Sequence, residues 1–254
     1  PDGATLDYYL ARPAAEVAIE IVDRGGQVVR RFSSRDEPER IDASVLPYPT
    51  YWFRPEQRIA TSSGHHRFVW DLRYPPPRGA RRQYSIAAVY RNTPSGPHGP
   101  FVPPGRYAGR LTVDGERFER PLDVRLDPRV TFGEADVRLQ TDLSMRCYLG
   151  YLRAQEIREA LDAALESGSG DAARQEARRA LRGEGAPAEP DLLYGSITAV
   201  PDDRETVVGL QEKFLFLLSL LQAADARPTT QARDAVPALE RTLAALEGRW
   251  SKLR

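Results

Sequence analysis

Three histidines, one cysteine and a run of aromatic residues are the side chains of this 254-residue chain with the most chemical potential. His65, His66 and His98 are the only imidazoles, and there is no His-x-x-x-His or Cys-x-x-Cys spacing to hold zinc. His66 falls in the flank of a strand pattern, where packing or hydrogen bonding is the expected role. Cys147 lies on the apolar stripe of a helical pattern and reads as a small buried hydrophobe. Gly195-Ser196 lacks the Gly-x-Ser-x-Gly elbow of a nucleophilic serine. Gly183-x-Gly185 has no strand before it and so does not read as a phosphate loop. Asp202 and Asp203 are better explained as helix caps than as a catalytic pair. Glycoside hydrolysis uses two carboxylates about 5–10 Å apart, but 36 acidic residues supply such pairs by chance and nothing singles one out. No catalytic residue, metal ligand or cofactor is therefore expected.

The aromatic cluster Tyr48, Tyr51, Trp52 and Phe53 carries more weight. It sits in Pro47-Tyr48-Pro49-Thr50-Tyr51-Trp52-Phe53-Arg54-Pro55. Aromatic rings stack on sugars and also anchor protein interfaces. Three roles stay open for these four residues: plugging a β domain or seating it on helices, meeting another domain, or contacting carbohydrate. Trp70 reads as a core residue, and Tyr107, in Pro104-Gly105-Arg106-Tyr107, as closing a sheet edge.

Composition bounds the setting. The 36 basic and 36 acidic residues balance, so no global field favours nucleic acid or an anionic membrane. Lys213 and Lys252 are the only lysines, and arginine supplies the rest of the positive charge. A single cysteine excludes an internal disulfide. The longest strongly apolar run, residues 214–221, is far shorter than the about 20 residues a membrane helix needs. The chain opens Pro1-Asp2-Gly3 and its only methionine is Met145. It is therefore expected to be cut from a larger protein, with any signal peptide in the part upstream.

The pattern changes near residue 130. Before it, proline and glycine punctuate short runs of Val, Ile, Tyr and Phe; after it, Ala, Leu, Glu and Arg recur at helical spacing. Leu6, Tyr8 and Leu10 alternate, as do Val17, Ile19 and Ile21. Asp23-Arg24-Gly25-Gly26 offers a turn, and Val28, Arg30 and Phe32 are expected to share a face of the returning strand. Phe68, Trp70 and Leu72 mark a later strand. Asp114-Gly115 between two alternating runs predicts a type I′ hairpin. Six or so antiparallel strands suggest a β-sandwich over residues 1–128. Two proline-rich stretches, about 34–64 and 75–104, read as long loops.

Residues 129–254 read as a small antiparallel helical bundle. Thr131-x-x-Glu134 predicts a capping box. Leu139, Leu143, Cys147, Tyr151, Ala154, Ile157 or Arg158, Leu161 and Leu165 lie near one stripe of the following helix. Ser167-Gly168-Ser169-Gly170 ends it, and a short polar helix spans 171–181. Asp202 is the expected cap of the next helix, whose face is Val207, Leu210, Phe214, Leu217, Leu218 and Leu221. Thr229 caps a last helix through Leu239, Leu243, Leu246 and Trp250, which Pro237 should kink or split.

The strand motifs, with Gly64-x-His66-x-x-Val69-Trp70-Asp71 and Pro104-Gly105-x-Tyr107-x-x-x-Leu111, resemble the immunoglobulin-like module first known from a flagellar hook-capping protein. That module is common at the C-termini of exported bacterial proteins. Residues 66–75 (HRFVWDLRYP), the proline-rich insert, Asp127-Pro128-Arg129 and residues 224–229 (ADARPT) are similar to the C-terminal region of large secreted proteins with sortilin-type or BNR-repeat β-propellers, often labelled glycosyl hydrolase-like. No Asp box and no blade repeat occurs here, so no propeller chemistry transfers to these residues. The resemblance implies an Ig-like sandwich followed by a helical bundle, secreted, periplasmic or on the cell surface. Its role would be non-catalytic: packing against an upstream β-propeller or mediating assembly with other subunits, with no nucleic acid and no membrane span. Carbohydrate binding through the aromatic cluster is the alternative.

Overall fold

A computed structural model describes residues 3–39, 41, 43–46, 49–84, 90–93, 95–130, 133–183 and 205–254. Among the described residues, six strands in two antiparallel sheets, with a further short two-stranded pair, precede four helices. Strands β1 (Ala4–Leu10) and β4 (Gly64–Trp70) form one sheet. β2 (Val17–Asp23), β3 (Val28–Ser33), β7 (Gly105–Val113) and β8 (Glu116–Val124) form the other, in the order β3-β2-β7-β8. Two short strands, β5 (Gln83–Tyr84) and β6 (Ser95–Gly96), lie in the second insertion. Contacts divide the chain into two units, one of residues 1–75 and 84–130 and one of 76–83 and 131–254.

Alternation builds the core of the β unit. Leu10, Phe68 and Trp70 from the two-stranded sheet share a buried cluster with Val17, Ile19, Ile21, Val29 and Tyr107 from the four-stranded one. Phe32 meets Phe68 at 4.6 Å between ring centroids, and Trp70 meets Tyr107 edge-on at 6.1 Å. Trp70 is fully buried, and its Nε1 donates to Arg73 O at 3.0 Å. Tyr107 Oη donates to Pro103 O at 2.8 Å. Residues 28–32 depart from strict alternation, because Val28 is exposed while Val29 is buried. The cause is a bulge: Ile21 faces Arg30 and Val22 faces Val28, so Val29 is an extra residue. The slip lets Val29 and Phe32, three apart, both reach the core.

Both turns follow from their residues. Asp114 and Gly115 have φ of 48° and 91°, joining Val113 to Glu116 in the two-residue type I′ loop. Asp114 Oδ1 also accepts from the backbone N–H of Ala15 and Glu16 at 2.9 and 2.8 Å. At the other turn Gln27 N–H donates to Asp23 Oδ1 at 2.9 Å.

In the helical unit, α1 (Glu134–Glu166) buries Leu143, Cys147, Tyr151, Ala154, Ile157 and Leu161. It packs on α3 (Val207–Leu221), which buries Val207, Leu210, Phe214, Leu217, Leu218 and Leu221. A Cβ on Gly150 would lie 2.5 Å from the Phe214 ring, so the helices touch through this glycine. Gln155 Oε1 accepts from Gln211 Nε2 at 2.6 Å, and Ser144 Oγ from Gln222 Nε2 at 2.8 Å. These pairings descend along α3 as they ascend α1, so the two run antiparallel. α4 (Thr230–Leu253) instead follows α1 in parallel, through Arg146–Glu240 and Arg153–Glu247. α2 (Ala172–Arg182) is short and polar, capped by Asp171. Residues 76–83 join this unit: Arg78 pairs with Glu159 at 3.1 Å, and Ala80 packs on the helical core.

Helix starts differ from expectation. α1 begins at Glu134 behind Gly133, which has no side chain to cap it, and Thr131 lies outside the described residues. α3 is capped by Thr206, whose Oγ1 accepts from Gly209 N–H at 3.1 Å. Asp202 and Asp203 lie outside the described residues; Thr206 directly precedes the first apolar residue, where a cap is effective. Thr229 caps α4 as expected, accepting from Ala232 N–H at 3.2 Å. Pro237 does not split α4. Val236 is fully buried and Leu239 packs on the core, so apolar contact on both sides of the proline holds the helix together.

Candidate functional site

The site is built from the two insertions of the β unit. Pro49 fixes the entry to a single 3-10 turn, Thr50–Trp52, in which Phe53 N–H donates to Thr50 O at 3.1 Å. The chain then extends. Phe53 bridges Thr93 in parallel, with Thr93 N–H donating to Trp52 O at 3.1 Å and Arg54 N–H to Thr93 O at 3.0 Å. Pro55 offers no further donor, so the ladder stops there. Strand alternation sends Phe53 and Thr93 inward, both buried, and leaves the neighbouring Trp52, Arg54 and Asn92 more exposed.

Three rings gather on this short ladder. Tyr51 and Trp52 lie 6.1 Å apart between centroids with planes 30° apart. Tyr90 sits 6.1 Å from Tyr51 and 6.0 Å from Trp52, tilted by 48° and 77°. Tyr51 is 57% exposed and Tyr90 60% exposed. Two guanidiniums border the rings. Arg54 donates through Nε and Nη2 to Asn92 Oδ1 at 3.0 and 2.7 Å. Arg91 lies 5.9 Å from the centre of the Tyr90 ring.

Of the four residues singled out in the sequence, Tyr51 and Trp52 thus meet on the surface. Phe53 turns into the interior, and Tyr48 lies outside the described residues. Tyr90, Arg91, Asn92 and Arg54 were missed. The available signal was an aromatic–arginine dipeptide in each long insertion, Phe53-Arg54 and Tyr90-Arg91.

The other candidates resolve into packing. His66 bonds Ser62 O through Nε2 at 2.7 Å and lies against Tyr8; His65 lies 4.8 Å from Tyr9. Cys147 is fully buried, and burial pushes its thiol up to about 12. No group of three His, Cys, Asp or Glu suited to a metal occurs among the described residues. Gly183 caps α2 with φ of 77°; Gly185, Gly195 and Ser196 lie outside the described residues. Asp7, Asp127 and Glu240 are each drawn below the usual carboxylate range by a bonded arginine, respectively Arg67, Arg129 and Arg146. That direction is opposite to the one a general acid needs. A shallow trough over Ala18 and Thr112 is rimmed by charges that pair locally, including Arg35 with Glu16 at 3.1 Å and Arg31 with Asp36 at 3.9 Å. No helix among the described residues is long and apolar enough to cross a membrane.

Comparison with protein-family models, with characterised proteins and with solved structures finds no match to this chain.

Proposed function

We propose that this chain is a non-catalytic accessory module of an exported β-propeller protein of the sortilin or BNR type, which docks a protein partner through Tyr51, Trp52 and Tyr90. The observation that carries the reading is the exposure of Tyr51 and Tyr90 beside Trp52. Rings needed only to fill the β unit would be buried, as Phe53 is. Tyrosine, tryptophan and arginine are the residues that dominate binding energy at protein interfaces. Two sheets sharing one core support an Ig-like sandwich, and the resemblance to exported C-terminal modules supports the propeller as first partner.

The non-catalytic part is tested by assaying the full chain on chromogenic glycosides and on peptides. Saturable turnover that vanishes with one carboxylate substitution would overturn it. A second reading, carbohydrate binding, is favoured by the near-parallel Tyr51 and Trp52 rings. A glycan array separates the two: binding lost in Trp52→Ala would favour the sugar.

A further inference from the structure

We infer that the partner of the aromatic patch is an acidic protein segment, whose carboxylates are taken by Arg54 and Arg91. The inference rests on the docking reading above and adds the chemistry of what docks. Arg54 and Arg91 are both exposed, and neither forms an ion pair with a carboxylate among the described residues. In a chain whose arginines elsewhere hold Asp7, Glu159, Glu240 and Glu247, these two border exposed rings instead.

Arg54 is also oriented before any partner arrives. Its Nε and Nη2 both point at Asn92 Oδ1, and its backbone is fixed to Thr93. A guanidinium held this way loses less side-chain freedom on binding a carboxylate than a loose one does. Nη1 remains to donate, and Arg91 offers its whole donor fork. Bidentate carboxylate recognition is the task that this group performs best.

Ring geometry selects a protein segment over an acidic sugar. A sugar ring needs a flat platform, whereas Tyr90 stands at 48° to Tyr51 and 77° to Trp52. The three rings make an uneven apolar surface, suited to side chains that fit between them, with the two cations at its margin. Acidic residues interleaved with apolar ones match both features.

The test is selection of a random 12-residue peptide display library on the full chain. Enriched peptides should carry Asp or Glu beside apolar residues. They should bind about tenfold more weakly to Arg91→Gln and to Arg54→Gln, and lose affinity as salt is raised. Circular dichroism checks that each variant is folded, and Arg91→Gln, which removes no bond holding the ladder, guards against a loop defect in Arg54→Gln. Peptides that enrich and need Trp52 but show no acidic preference would overturn the inference and leave the docking reading standing. No enrichment, or enrichment unaffected by Trp52→Ala, would overturn both. Oligogalacturonate binding that needs Trp52 and Arg91, with no peptide enriched, would overturn both in favour of an acidic glycan.

Discussion

Arg178 is 3% exposed in the helical unit and forms no ion pair with a carboxylate among the described residues; backbone oxygens hold it instead. Its Nε and Nη2 donate to Leu253 O at 3.2 and 2.8 Å, and its Nη1 donates to Ser169 O at 2.5 Å and Ser169 Oγ at 3.2 Å. Leu253 is the last residue of α4, and Ser169 lies just beyond the end of α1. One cation thus ties together the negative ends of two helices. Replacing it with methionine keeps the aliphatic volume and removes every donor. The carbonyls of Leu253 and Ser169 then lose charge-assisted bonds of about 1.5–3 kcal/mol each, and Ala164 O loses a longer contact at 3.5 Å. The buried charge itself no longer has to be desolvated, which returns part of that. Arg178→Met should therefore destabilise the helical unit by about 3 kcal/mol. Arg178→Lys keeps the charge but cannot span both carbonyls, so it should lose about half as much. Urea unfolding followed by far-ultraviolet circular dichroism measures both. The losses should change little between about 0.05 and 0.5 M salt, because a buried contact is screened much less than a surface pair. An Arg178→Met loss under about 0.5 kcal/mol, within the range of ordinary surface changes, would refute the reasoning.

Four further outcomes follow from the packing and the turns. Gly115→Val should cost roughly 1–2 kcal/mol in thermal or urea unfolding, from backbone strain alone, since a Cβ there meets no atom within 4 Å but φ is +91°. Gly150→Ala should cost about 1–3 kcal/mol, as at an overpacked core site, because its Cβ would press the Phe214 ring; a variant as stable as wild type would mean α1 and α3 are further apart. Cys147 has a folded-state pKa raised to about 12 by burial, above the unfolded value of about 8.5. Its contribution is complete below the unfolded value and is lost as pH rises from there, so Cys147→Ala should flatten the alkaline fall in melting temperature, and a thiol reagent should react only with unfolded chain. Glu240, held low by its bonds to Arg146, contributes above the unfolded carboxylate value and loses that contribution as pH falls through its folded one; both partners are about a third exposed, so Glu240→Gln should flatten the acid limb of the melting profile only modestly.

Local periodicity made much of the fold legible. The α1 stripe from Leu143 to Leu161 and the α3 face from Val207 to Leu221 needed only a spacing rule, because each helix buries one continuous side. Asp114-Gly115 was legible because two successive positive-φ residues demand that chemistry. What was not legible depended on partners far away in sequence. Val29 reaches the core because Ile21 and Val22 pair out of step with it, a fact about β2 rather than about residues 28–32. Residues 76–83 look like any proline-rich loop until Arg78 meets Glu159 and Ala80 meets the helical core.

The candidate site shows the same limit more sharply. The run from Tyr48 to Phe53 drew attention as one block, yet its members divide according to a single bridge between Phe53 and Thr93. That bridge buries Phe53, leaves Trp52 beside the surface and brings Tyr90 within 6.1 Å of Tyr51 from 39 residues away along the chain. Composition could nominate aromatic residues, but only the pairing of two insertions could sort interior rings from exposed ones and add arginines at their margin. A substitution that breaks the pairing without touching a ring should therefore abolish recognition. Thr93→Pro removes the N–H that Trp52 O accepts. Peptide binding should fall as far as in Trp52→Ala while the far-ultraviolet spectrum of the helices stays unchanged. Undiminished binding would mean that the rings act separately and that the ladder is not what assembles them.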